Sequence, residues 1–114
     1  MPYVPNASVS MDTTPDSSNS LPFDATLAVA NTAQDFVTIP AGFKGKKISM
    51  VNEGPGTAFL KNDATATATA TNIKVLPKDA YAEEGIAVTT RWSFIGETGK
   101  LPRIRGVVWA APLL

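Results

Sequence analysis

From about Ala25 onward, Gly, Pro, Asn and Asp recur so regularly that the chain is cut into short runs, each rich in Val, Ile, Thr or Phe. This punctuation is what most limits the fold. Gly admits a positive φ, Pro withholds a backbone donor, and Asn and Asp bond their own backbone, so each cluster marks a turn and each run between clusters a strand. No run carries the apolar period of a helix. Strands are expected over 26–30, 34–39, 46–51, 57–61, 73–76 and 103–109; 81–84 is either a short strand or a turn leading to Gly85, and 86–90 with 91–95 form either one long strand or two. That spacing predicts an all-β fold, an antiparallel β-sandwich, jelly-roll-like or closed as a small barrel.

Several local patterns refine the expectation. Lys47 and Ser49 alternate with Ile48 and Met50, giving one wet and one dry face. Trp92 and Phe94 share a face for the same reason. Asn52-Glu53-Gly54-Pro55-Gly56 reads as a five-residue hairpin loop with 57–61 as its returning strand. Pro77-Lys78-Asp79 reads as a type I turn with Pro in its favoured second position. Residues 64–71 alternate Ala and Thr strictly. Thr favours strands, but Ala offers little to bury and leaves register weakly specified. This run is read as a small-residue loop or edge segment, either in contact with another subunit or simply a surface loop.

Ahead of the body stands a polar segment broken by Pro2, Pro5, Pro15 and Pro22, too often for a helix. The chain therefore divides into an extended N-terminal arm, 1–24, and a β-sandwich body, 25–114, with an apolar C-terminal tail. Tyr3, Val4, Val9, Met11, Leu21 and Phe23 are spaced along the arm as anchors for a partner. Charge follows the same division. Residues 1–43 hold Asp12, Asp16, Asp24 and Asp35 and no base, whereas 44–114 hold all 10 Lys and Arg against six acids. An acidic arm meeting a basic surface, on itself or on a neighbour, is one reading; Asp residues that merely solvate a tail is the other.

Catalysis finds few parts. With no His and no Cys, a Ser-His-Asp or Cys-His arrangement is excluded and a zinc site loses its usual ligands. Glu83 and Glu84 are adjacent on a strand and point to opposite faces, so they cannot converge as an acid–base pair. Gly54-Pro55-Gly56 lacks the third Gly and the following helix of a phosphate loop. No enzyme activity, cofactor or small-molecule substrate is expected. A net charge of zero gives the whole chain no general attraction to nucleic acid or membrane. The first residues lack a basic region and a continuous apolar stretch, so no signal peptide is expected, and Asn6-Ala7-Ser8 is taken as a chance sequon.

Two basic groups remain, Lys44, Lys46 and Lys47, and Arg103 with Arg105 on one strand face. They are read as docking groups for an acidic partner surface, against the alternative of an ordinary solvated face. The chain closes on Val107 to Leu114 without a charge; Trp109 is expected in the last strand, and Leu113 and Leu114 in contact with a neighbour.

From about Phe36 to Val108 the chain resembles small β-rich virion proteins of tailed bacteriophages, especially capsid decoration (cement) proteins. Carrying the resemblance are Val37-Thr38-Ile39-Pro40-Ala41-Gly42, Ile48-Ser49-Met50-Val51-Asn52-Glu53-Gly54 and Thr57-Ala58-Phe59-Leu60. Asp63 with the Ala/Thr run, Val75-Leu76-Pro77 and Trp92-Ser93-Phe94-Ile95-Gly96 complete it. The resemblance implies an auxiliary protein that binds and stabilises a shell of major capsid protein and resides on the virion after assembly in the host cytoplasm; self-association is expected too, and a trimer would suit three-fold positions, but the sequence does not count subunits. It carries no catalytic residues. A phage tail, neck or head-fibre adaptor is the nearest alternative. A carbohydrate-binding adhesion module using Tyr3, Tyr81, Trp92 or Trp109 is a further one.

Overall fold

The computed structural model describes residues 20–69 and 72–113. Every regular element in it is a strand: β1 (Ser20–Thr26), β2 (Gln34–Thr38), β3 (Phe43–Gly54), β4 (Ala58–Asn62), β5 (Ile73–Val75), β6 (Ala80–Val88), β7 (Arg91–Gly96) and β8 (Arg103–Pro112). They form two four-stranded antiparallel sheets, a first in the order β1-β8-β3-β6 and a second in the order β2-β7-β4-β5. The sheets face each other across one core built on Leu27, Val37, Ile48, Leu60, Trp92, Phe94, Ile104 and Val108. Alternation along the strands puts these residues inward, and their burial supplies the main favourable term.

Three expectations are corrected. The first strand is not 26–30 but Ser20–Thr26; residues 27–33 form the loop after it. Pro22 does not stop this strand, because β1 is an edge that pairs only with β8 and an edge residue can do without a ladder donor. The hairpin expected at 52–56 is also absent. β3 continues to Gly54, and the chain then crosses to the other sheet, so β3 and β4 are not paired. Gly54 and Gly56, at φ 82 and 83, make that crossing with little steric cost. Finally, Lys78 has φ 69, so the turn that bonds Asp79 N to Leu76 O is of type II rather than type I.

The open choice at 86–95 resolves into two strands in different sheets, with Val88 ending β6 and Arg91 beginning β7. Asp63 makes that change of sheet. Its carboxylate accepts the backbone N–H groups of Thr89 and Thr90 and both their hydroxyls at 2.7–3.3 Å. Of the Ala/Thr run, residues 64–69 form a loop bound to the outside of the second sheet. Ser93 donates from its hydroxyl to Ala64 O at 2.7 Å and accepts Ala66 N at 2.8 Å, while buried Asn72 accepts Thr67 N at 2.9 Å.

Candidate functional site

The two sheets treat their outer faces differently. On the second, the loop after Asp63 lies over Ser93, and Ile95 beside it is nearly covered. On the first, no described loop is hydrogen-bonded across the face, although much of it is apolar.

The register shows why. β8 aligns Trp109 with Ser20 and Lys47, Val107 with Pro22 and Ser49, and Arg105 with Asp24 and Val51. These residues point away from the core, since Ile104, Val108 and Ala110 between them are buried. From Gly106 to Pro112 β8 contains no polar side chain, so both of its faces are apolar. An antiparallel sheet with one wet side normally alternates apolar with polar residues. Here the alternation fails in the central strand, and Val107, Trp109 and Val51 are left half-buried with Ala80 and Ala82 exposed beyond them on β6.

Charge lies at the two ends of this face. At one end, the Lys47 ammonium sits 4.6 Å from the centre of the Trp109 ring, a cation–π contact. Lys44 aligns with Ala111 on the same side, and Lys46 is the extra residue where the β3 register shifts between Gly45 and Lys47. Lys47, Ser49, Ala82, Glu84 and Trp109 border a shallow groove there. At the other end, Arg103 grips Asp24 through two bonds of 2.9 and 2.7 Å, and Arg105 reaches Glu53 at 2.8 Å. The Arg103 bond holds the Asp24 carboxyl below its ordinary range.

The expected docking residues therefore separate. Lys44, Lys46 and Lys47 gather at one corner of the face, as grouped in the sequence. Arg103 and Arg105 share a face, but each is engaged by an acid of this chain. Leu21 and Phe23 point inward and pack on the protein's own core, the Phe23 ring 4.7 Å from that of Phe36. Leu113 is exposed, with its backbone N bonded to Gly42 O at 3.0 Å. Tyr3, Val4, Val9, Met11 and Leu114 lie outside the described residues.

Val51, Val107 and the outward role of Trp109 were missed by sequence reasoning. Counting by twos from Arg103 and Arg105 along β8 would have placed Val107 and Trp109 on the arginines' face. Of the aromatics considered for a sugar, Trp92 is wholly buried and Lys47 covers a face of Trp109. Tyr81 is half-buried and donates its hydroxyl to Glu83; burial, then that carboxylate, push its pKa up. No group of His, Cys, Asp or Glu among the described residues is placed to hold a metal ion. Comparison of the chain with models of protein families, with curated proteins and with solved structures finds no match in any of the three.

Proposed function

We propose that the protein is a non-enzymatic structural component of a virion, a decoration (cement) protein that binds and stabilises the shell of major capsid protein. The observation that carries this reading is the half-apolar outer face of the first sheet, which no described loop crosses, with Trp109, Val107 and Val51 at its centre and charge at both ends. Such a face suits a broad, non-catalytic contact: apolar area contributes the binding energy and the charged rim sets orientation. A protein that binds the assembled shell better than its dispersed subunits stabilises the shell by mass action.

The strand order supports a finer reading of the fold as a jelly roll. Successive strands change sheet, except β4 and β5, which pair within the second, so that 1-8-3-6 faces 2-7-4-5, the eight-stranded two-sheet arrangement used by viral capsid and lectin domains. A fold hosts many functions, so the surface carries more weight in this proposal. The extended N-terminal arm, the exposed Leu113 and self-association complete the reading, with the particle surface as the site of residence.

Sedimentation of purified shells with added protein tests it. The wild-type chain should co-sediment in proportion to the capsomers, and Val107→Asp, an outward change that leaves the core intact, should remain in the supernatant. Occupancy matching the few copies of a connector would move the protein to the neck or tail. Undiminished binding by Val107→Asp would remove this face from the contact.

A further inference from the structure

We infer that the open edge of β6 is the surface through which two copies of the protein associate, strand against antiparallel strand, with Ala82 facing its own copy across a two-fold axis. This deepens the self-association in the reading above and rests on that reading only for what the pair does on a particle.

The two sheets end in four edges, and three of them are blunted in ways that natural sheets use against pairing. β1 carries Pro22, which has no N–H to donate. β2 is interrupted by a register shift between Asp35 and Val37. β5 is three residues long. β6, by contrast, has nine residues, no Pro and a paired neighbour, β3, on one side only. Its other side presents a row of backbone donors and acceptors. From Ala80 to Glu84 it runs opposite Val51 to Lys47 without a break, and Gly85, at φ 74, begins the bulge that ends this run.

Side chains then select both the occupant and the register. Tyr81 and Glu83 lie on the core side, opposite buried Met50 and Ile48, whereas Ala80, Ala82 and Glu84 lie on the outer side. A two-fold axis normal to the sheet keeps outer residues opposite outer residues, so one residue of the run must face its own copy. Centring on Glu83 or Glu84 sets a carboxylate against itself, which is destabilising. Centring on Tyr81 sets Asp79 against Glu83, and centring on Ala80 pairs almost none of the run. Centring on Ala82 uses all of it and opposes no like charges. Tyr81 then faces Glu83 of the second copy, the kind of carboxylate its hydroxyl already bonds within its own strand. Ala80 faces Glu84 of the second copy, with Lys78 diagonal to that acid. Glu84 has no ion-pair partner among the described residues, and Lys78 is exposed with only a 3.9 Å contact to Glu53. The two Glu84–Lys78 pairs flank the seam symmetrically.

Pairing joins the two first sheets into one of eight strands. Because the axis is normal to that sheet, both copies turn Val51, Val107 and Trp109 to the same side. A shell contact made through both faces is held far longer than one made through either alone.

The chain has no native cysteine, so single cysteines report the register. In the full-length protein, Ala82→Cys should give a disulfide-linked dimer on mild oxidation, because directly opposed Cβ atoms lie about 5 Å apart. Ala80→Cys, set against Glu84 of the second copy, should not. Analytical ultracentrifugation of the wild type should show a monomer–dimer equilibrium. Ala82→Glu, an exposed change that places like charges at the axis, should shift it to monomer. Glu84→Lys should weaken the dimer, and Lys78→Glu added to it should restore the wild-type equilibrium. A monomer at every attainable concentration, a trimer, or a dimer that Ala82→Glu leaves intact overturns the inference. Equal crosslinking of Ala80→Cys, or no rescue by the charge exchange, overturns the register. None of these measurements involves a particle, so failure to bind shells and failure to pair are separate outcomes.

Discussion

Asn52 Nδ2, on the core side of β3 in the first sheet, donates to the carbonyl of Val75 on β5 of the second at 3.0 Å. The same amide donates to Gly56 O at 2.9 Å, its Oδ1 accepts Gly54 N at 2.8 Å, and the side chain is fully buried. One amide thus ties the two layers together where the chain crosses between them. Burial of so polar a group is favourable only because each of these bonds is made. Asn52→Ala should cost about 3 kcal/mol, since two carbonyls and an amide lose their partner inside the protein. Asn52→Asp should cost more at neutral pH, because it turns a charge toward those carbonyls. Urea midpoints measure both.

Gly106 is a second point of close contact. A Cβ there would stand 2.1 Å from Ser49 O and 2.6 Å from Met50 Cα, so the two central strands of the first sheet could not keep their spacing. Gly106→Ala should destabilise by about 3 kcal/mol, at the upper end of overpacking effects. A thermal midpoint near the wild-type value would show that the strands separate easily.

Asp63 gives the protein an acid limb. Burial opposes its charged form, but bonds from Thr90 and Thr89 outweigh that and lower its pKa from 3.8 to about 2. A folded pKa below the unfolded one means stability that is complete above about pH 4 and lost as pH falls through 2. The shift would be about 2 kcal/mol for a shielded group, and the exposed position reduces it to about 1 kcal/mol. Asp63 has φ 54, a conformation Asn also tolerates, so Asp63→Asn isolates the charge. Unfolding free energies of the two proteins should differ at pH 7 and converge near pH 2.

Lys78 holds φ 69 as the third residue of a type II turn, a position that favours Gly. Its ammonium lies 3.9 Å from Glu53 at an exposed site and contributes little. Lys78→Gly should therefore stabilise, by up to about 1 kcal/mol, as relief of the left-handed strain exceeds the entropy added to the unfolded chain. A lower midpoint in urea would show that entropy dominates.

Local chemistry made most of the strands legible. Trp92 and Phe94 were readable as one inward face because period two is a property of any extended chain. The turn at 52–56 was visible too, but not where it leads. Gly and Pro report that the backbone reverses and carry no information about which strand it will meet. The pairing was instead selected by the sum of apolar burial across both layers, which is why β3 lies beside β8, more than fifty residues later, and not beside β4. Pro22 misled for a similar reason, since its cost depends on whether a neighbouring strand needs its donor.

The candidate face divides along the same line. The lysine cluster and the uncharged run from Val107 were evident from residue order alone, because charge and hydropathy belong to the side chains themselves. That Arg103 is held by Asp24, that Phe23 serves the interior, and that Trp109 looks outward beneath Lys47 follow only from bringing distant segments together. Composition dictates which groups must avoid or seek water. Long-range pairing of the strands dictates which of them succeed, and here it left one half-apolar sheet without a cover among the described residues.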